Sequence, residues 1–351
     1  MIPHSKPSID ESDLSAVSGV LHTGMIAQGE LVKEFEGGVA QYLGVPGGVA
    51  VSSGTAALIL SLSSLGIGPN DEVIVPTYLC KSVVEAILSI GAKPVLCDVG
   101  NEWNMTVETV EPKVTACTAA IILVHTFGIP VDCSAFAQFG VPIIEDCCQA
   151  LGARVGDAIV GTRGAAGVLS FHATKCLSTG EGGMVITQHR GLLDKMRHIR
   201  DGSSSKLGGR VASPMTDLQA ALGLSQLVRY AEFLTLRRQV ADQYFSELQG
   251  CQIQLPNEVR ERSIFFRFPI RVQGHLNMFE EEFKRHGVTV RRGVDALLHR
   301  MMRLNPQDFP MAEQLFNETL SIPIYPALRV QDMNAVIMAT RSVFETHDYS
   351  N

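Results

Sequence analysis

The sequence predicts an α/β fold: a mostly parallel sheet flanked by helices, with a smaller C-terminal α/β domain. Three observations carry this expectation. Short apolar runs alternate with helical patterns from about residue 45 to 190, long helical patterns follow Arg190, and strand-like segments return beyond Gly250. Strands joined through helices run parallel and need cover on both faces.

Taken in order, the apolar runs are GVAVSS, EVIVP, KPVLCDV, TAAIILVHT, VPIIED, GVLSF and GMVIT, each of a length that suits a buried strand. LLDKMRHIR then reads as a helix. The stretch MTDLQAALGLSQLVRYAEFLTLRRQVADQYFSELQ is too long for one unbroken globular helix, so a bend is expected between Arg229 and Glu232. Beyond it, FFRFPIRV and VTVRR read as strands, and about 277–286 and 332–344 as helices. Residues 1–235 are assigned to a large domain and 236–351 to a small one. With no low-complexity linker between them, the two are expected to pack closely.

Of 351 residues, 46% are hydrophobic and 19% charged, which suits a soluble globular protein with ample core material. A net charge of -7 without basic blocks argues against nucleic acid or an anionic membrane surface as partner. The opening MIPHSKPSIDESDL has acids and prolines where a secretory signal needs an apolar run, and no stretch has membrane-spanning character, so a cytoplasmic protein is expected. The eight cysteines form no CxxC pair and no cysteine-histidine ladder. They read as reduced thiols packed as small apolar residues, and no metal site is expected.

In parallel sheets, ligands bind where loops leave the carboxyl ends of the strands. Three segments sit there. In VSSGTAAL a strand ends in Ser52-Ser53-Gly54-Thr55 and a helix begins, a turn whose free amides suit a phosphate or merely cap the helix. In VPIIEDCCQALGA a strand delivers Glu145 and Asp146; an acid here could keep a ring nitrogen protonated, or cap a helix. In SFHATKCLSTGEGG, Lys175 follows a strand end and precedes Gly180, Gly182 and Gly183. A phosphate cup, an acid and an amine able to attack a carbonyl are the parts that pyridoxal phosphate (PLP) needs.

With these residues in place, the sequence resembles the DegT/DnrJ/EryC1/StrS sugar aminotransferases, within the fold type I PLP enzymes. The resemblance runs from HTGMIAQGELVKEFE through SSGTAAL, DEVIVPTY, GAKPVLCDV, EDCCQALGA, SFHATKCLSTGEGG and QAALGLSQL to FPMAEQLFNETLSIPIYP. It implies that Lys175 forms the imine with the cofactor and later moves a proton. It also implies that Asp146 pairs with the ring nitrogen, that Gln149 lies near the ring hydroxyl, and that Gly54, Thr55 and Ser170 hold the phosphate. By the same resemblance Tyr78 stacks on the ring; an aromatic sealing the sheet end is the other reading. His172 and His299 are candidates for the substrate side, His125 and Glu181 for structural roles.

The resemblance further implies an amino acid donor, usually glutamate, a nucleotide-linked keto sugar as acceptor, and a homodimer whose partner loops complete each site. HTGMIAQG and residues 211–215 are the candidate loops. Two departures stand out. Relatives carry an Asn-Tyr-Arg element where this chain has Ala212-Ser213-Pro214, with Arg210 or Ser213 as possible substitutes, and VDALLHR lacks the usual aromatic and proline before His299. The rivals are a PLP enzyme of this fold acting on a non-sugar acceptor, a dehydratase, and a PLP-binding regulatory protein without turnover. Against a dehydratase stands Lys175, which sugar deoxygenases of the family replace with histidine. A Rossmann dehydrogenase would need GxGxxG after its first strand, and SSGT does not supply it.

Overall fold

A computed structural model of the protein describes residues 1–202 and 213–345. The chain opens with helices α1 (Glu11–Thr23) and α2 (Glu30–Leu43). It then runs through β1 (Gly47–Val51), α3 (Gly54–Ser64), β2 (Glu72–Pro76), α4 (Lys81–Ser89), β3 (Lys93–Cys97), the single turn α5 (Val107–Val110), β4 (Thr118–Val124) and β5 (Ile143–Asp146). A small hairpin, β6 (Arg154–Val155) and β7 (Ala158–Ile159), leads to β8 (Ala166–Ser170) and β9 (Gly183–Thr187). After these come α6 (Arg190–Asp201), α7 (Asp217–Val228), α8 (Tyr230–Glu247), β10 (Phe268–Arg271), α9 (Leu276–Arg285), β11 (Arg291–Arg292), α10 (Leu298–Met301), α11 (Pro310–Glu318), β12 (Thr319–Ile322) and α12 (Val330–Glu345).

The seven expected strands form one sheet in the order β1-β9-β8-β5-β4-β2-β3. Its β3-β2-β4-β5-β8 run is parallel, and β9 lies antiparallel to both β8 and β1. Successive side chains of a strand face opposite ways, and this sheet buries both sets. Val49 and Val51 pack with Leu58, Leu62, Val83 and Ile87 on one side, whereas Ala50 packs with Phe35, Val39 and Met184 on the other. Two-sided burial is why these strands read as unbroken apolar runs.

The long helical stretch breaks at Arg229, whose backbone (φ -98, ψ 3) ends α7 and starts α8. α8 then serves two cores. Tyr230 and Phe233 pack with the large sheet, and Val240, Ala241, Tyr244 and Phe245 pack with a second cluster around the antiparallel sheet β10-β12-β11. Residue 235 therefore lies inside a helix that both cores share. The cores also exchange chain. Ile2 bridges to Val288 beside the small sheet, and Leu297, Leu298, Phe309 and Leu315 return to the large core. Central strand β12 went unread in the sequence, as four residues ahead of Pro323 give little pattern.

Candidate active site

Register brings the three chemical segments together. Val124, Asp146 and Val168 are neighbours across the parallel strands, so Asp146 stands at their carboxyl edge. Because β9 is antiparallel, its first residue, Gly183, lies at this same edge between Ser170 and Val51. The loop between Ser170 and Gly183 therefore starts and ends beside the turn that follows β1. It is closed by backbone bonds from Phe171 to Gly182 and from Ala173 to Gly180, both 2.8 Å, with Gly180 at φ 79.

That turn is built to leave amides free. Ser53 caps α3, its hydroxyl accepting the Ala56 amide at 3.1 Å while its carbonyl accepts Ala57 at 3.0 Å. The amides of Gly54 and Thr55, the first two of the helix, are left without an intrahelical acceptor. A Cβ on Gly54 would sit 3.0 Å from the Ser170 Cβ and 3.3 Å from Cys148 Sγ. On Gly183 it would sit 2.2 Å from the Ser53 carbonyl oxygen, so only glycine lets β9 approach this closely.

These parts line one cavity of about 420 Å³, together with Gln149, His172, Lys175 and Glu181. Lys175 Nζ has no carboxylate within ion-pair distance among the described residues; it lies 5.0 Å from the centre of the Phe266 ring. Asp146 is buried, and its Oδ1 accepts the Cys148 amide at 3.0 Å. Gln149 Oε1 accepts the Phe127 amide at 2.8 Å, which leaves the Gln149 NH2 as its free donor. Phe127, at φ 60, takes a conformation rare for a bulky residue, and the Gln149 bond is one of the contacts that hold it there. His172 is exposed at the rim, bonded to Thr174 Oγ1 at 2.9 Å and 3.6 Å from Glu181.

Two sequence candidates lie elsewhere. Tyr78 is fully buried, turned edge-on to Phe127 and close to Gly293, and lines a neighbouring chamber rather than the Lys175 cavity. Past Pro76 the chain leaves the sheet and Tyr78 points inward; Cys80, which caps α4, faces the cavity instead. His299 is also fully buried and outside the cavity. Its Nδ1 meets Thr77 Oγ1 at 2.7 Å, its Nε2 meets Glu313 at 2.8 Å, and its ring stacks on Phe309. With both nitrogens committed, His299 is a brace and not a substrate contact.

His125 is structural as well. Its Nδ1 accepts the Val131 amide at 3.0 Å, so the proton sits on Nε2, which faces Glu145 at 3.3 Å. Burial works to raise the Glu145 carboxyl, but the His125 bond and backbone amides outweigh it and hold the carboxyl below its ordinary value. Ser213 lies beside the cup through its carbonyl, which accepts the Ser52 amide at 2.8 Å. Arg210 and Ala212 fall outside the described residues.

The sequence reading missed His4, Ser5, Phe266, Arg267, Arg291 and Asp295, all of which line the cavity from the small sheet, the segments flanking it and the chain's first residues. A signal for two of them existed. An arginine amid the aromatic residues of FFRFPIRV, and another in VTVRR, are costly in buried strands unless something negative faces them.

Such a sheet, with a lysine, an acid and a phosphate-ready turn at its carboxyl edge, defines a PLP-dependent enzyme of fold type I. The chain belongs to the DegT/DnrJ/EryC1/StrS aminotransferase family, which matches residues 7–341. It is 33% identical to the UDP-N-acetyl-3-dehydro-alpha-D-glucosamine 3-aminotransferase of Acidithiobacillus ferrooxidans, across 96% of this chain and 95% of that one. Its fold is similar to that of the aminotransferase TlmJ from Streptoalloteichus hindustanus (31% identity, 98% of both chains, TM-score 0.91). It is also similar to that of the PLP form of Spr1654 from Streptococcus pneumoniae (26% identity, 98% of both chains, TM-score 0.90). The protein is thus a PLP-dependent aminotransferase.

Proposed function

We propose that this enzyme moves an amino group from an amino acid, L-glutamate, to the keto group of a nucleotide-linked sugar. The observation that carries the reading is the cavity that joins a lysine amine with no ion-pair partner among the described residues, a buried acid and two helix amides without intrahelical acceptors. The names of relatives support the acceptor class: a UDP-linked dehydro sugar for the Acidithiobacillus enzyme, and GDP-perosamine synthase for a 31% identical relative from Escherichia coli O157:H7.

The residues present fit PLP. The Gly54 and Thr55 amides and the Ser170 hydroxyl would hold its phosphate in the space that a Cβ on Gly54 would encroach upon, Asp146 would face its ring nitrogen, and the Gln149 NH2 would face its ring hydroxyl. Lys175 would tether it through Nζ. When bound, PLP supplies an electron sink and carries the amino group between two substrates. The protein's part is to orient and to move protons. Asp146 would keep the ring nitrogen protonated through an ion pair. Lys175 Nζ would serve as the base that takes the donor's α-proton and gives it back, a transfer worth roughly two to four orders of magnitude in rate.

The active unit is a homodimer in the cytoplasm. In support, Leu14, Leu21, Met25 and Ile26 expose apolar side chains along α1 and the HTGMIAQG segment. No helix among the described residues is long and apolar enough to cross a membrane, and Cys80, Cys97, Cys117, Cys133, Cys147, Cys148 and Cys176 carry free thiols. The test is a spectral titration with amino acids, followed by a screen of nucleotide keto sugars that restore the starting spectrum. No spectral response to any amino acid would overturn the reading, and sedimentation of a fully active monomer would overturn the dimer.

A further inference from the structure

The cavity holds two guanidinium groups that the cofactor contacts above leave unused. Arg267, just before β10, donates from Nη1 to the carbonyls of Arg292 and Gly293 at 2.9 and 3.0 Å. These bonds fix its plane and leave Nε and Nη2 for the cavity. Arg291, exposed at the start of β11, lines the same space.

The neighbouring arginines make the contrast. Arg271 pairs with Glu318 at 2.6 Å and Arg292 approaches Glu280 at 3.7 Å, whereas among the described residues neither Arg267 nor Arg291 has a carboxylate within ion-pair distance. Arg271 of β10 and Arg292 of β11 thus face acids, whereas Arg267, just ahead of β10, and Arg291 of β11 are presented to the cavity. Three acids share the lining. Asp146 is placed for the ring nitrogen, Glu181 faces His172, and Asp295 is exposed and out of ion-pair range. Burial, and then the charge of Arg291, push Arg267 below its ordinary value; burial, followed by Arg267 and Arg291, pushes His4 down to about 3. Among the described residues the cluster has no ion-pair partner; Asp295 acts on Arg267 through space and offsets part of its charge.

We infer that Arg267 and Arg291 form a carboxylate site for the amino donor and select one with two carboxylates, an inference that rests on the transamination proposed above. The distance to the reacting amine decides for the donor. Phe266, adjacent to Arg267 in sequence, lies 5.0 Å from Lys175 Nζ, so Arg267 borders the wall beside which an amino acid must react. An amino acid carries its α-carboxylate on the reacting carbon itself, whereas the diphosphate of a nucleotide sugar stands a sugar ring away. Arginine forks match carboxylates bidentately, and a second guanidinium gives a second carboxylate its own partner.

The probe is glutarate, which has both carboxylates and no amine, titrated into the holoenzyme by calorimetry with propionate as the one-carboxylate control. Wild type should bind glutarate in competition with glutamate. Arg267→Gln and Arg291→Gln should each weaken it about ten- to a hundredfold, with partial recovery in the lysine variants. Because Arg291 is exposed, its variant keeps the test alive if the other misfolds. The two half-reactions, followed separately by the cofactor's visible absorption, should show weaker glutamate dependence and an unchanged keto-sugar dependence, and Arg291→Gln should lose preference for glutamate over alanine. Glutarate affinity that ignores both substitutions overturns the inference, as does weakening confined to the keto-sugar half. If glutarate binds through the arginines but no amino acid alters the spectrum, the anion site stands and the transamination reading falls.

Discussion

Lys175 is half-buried among loop residues and donates to no carboxylate of the described residues, so its side chain contributes little to the fold. Lys175→Ala is expected to abolish turnover while leaving the thermal midpoint nearly unchanged, since no large apolar cavity results. Turnover close to wild type would remove the residue from its role. Gly183 makes the opposite prediction. A methyl there meets the backbone oxygen of Ser53 at 2.2 Å, and backbone cannot rotate away as a side chain could. Gly183→Ala should cost about 1–3 kcal/mol and release cofactor on dialysis, because β9 is pushed off the cup. Retained cofactor and an unchanged midpoint would mean that the edge yields more easily than its packing implies.

At the scale of elements, what could be read in the sequence was what local pattern records. The seven large-sheet strands were legible because burial on both faces makes them continuous apolar runs, and the break at Arg229 because helix length is bounded. Gly54, Asp146, Ser170 and Lys175 were legible because each lies at or just past the end of an apolar run. Tyr78 and Cys80 were not separable, since which of two residues in a turn faces a cavity depends on the bend after Pro76. His299 was a candidate for the substrate side, yet Thr77 and Glu313, brought in from distant positions, use both its nitrogens. The N-terminal segment gave no pattern at all. Ile2 pairs at the edge near Val288, and His4 Nε2 meets Ser321 Oγ at 2.9 Å. Its burial predicts a pH dependence. His4 drops from 6.5 to about 3 on folding, so the unfolded chain binds the extra proton in that window. The contact is fully stabilising above about 6.5, and that stability is lost as pH falls toward about 3. In urea melts across this range, His4→Gln should lose stability less steeply than wild type, by on the order of 1 kcal/mol per pH unit. Parallel slopes would mean that His4 titrates in the fold as it does in the open chain.

The described residues form two main cores that share α8, and the cavity lies where they meet: the carboxyl edge of the large sheet supplies Asp146 and Lys175, and the segment leading into β10 supplies Phe266 and Arg267. One buried side chain of α8 anchors the small-domain side to this shared helix. Arg237 Nη1 donates to the carbonyls of Phe265, Phe266 and Ile324 at 3.1, 3.3 and 3.1 Å, all acceptors on the small-domain side. The middle one belongs to the residue whose ring covers Lys175. Replacing Arg237 with methionine fills much of the space yet leaves these carbonyls without their cation. Each buried polar group stripped of its partner costs about 1–3 kcal/mol, and a single shared donor nitrogen puts the total near the lower end of the sum. We expect Arg237→Met to lower the unfolding free energy by roughly 3 kcal/mol and to weaken glutamate dependence as well, because Phe266 and Arg267 are held by the same tie. Arg237→Lys, which keeps the charge but only a point donor, should fall between. A variant that loses stability with unaltered donor kinetics would show that the small sheet keeps its place at the cavity without this arginine.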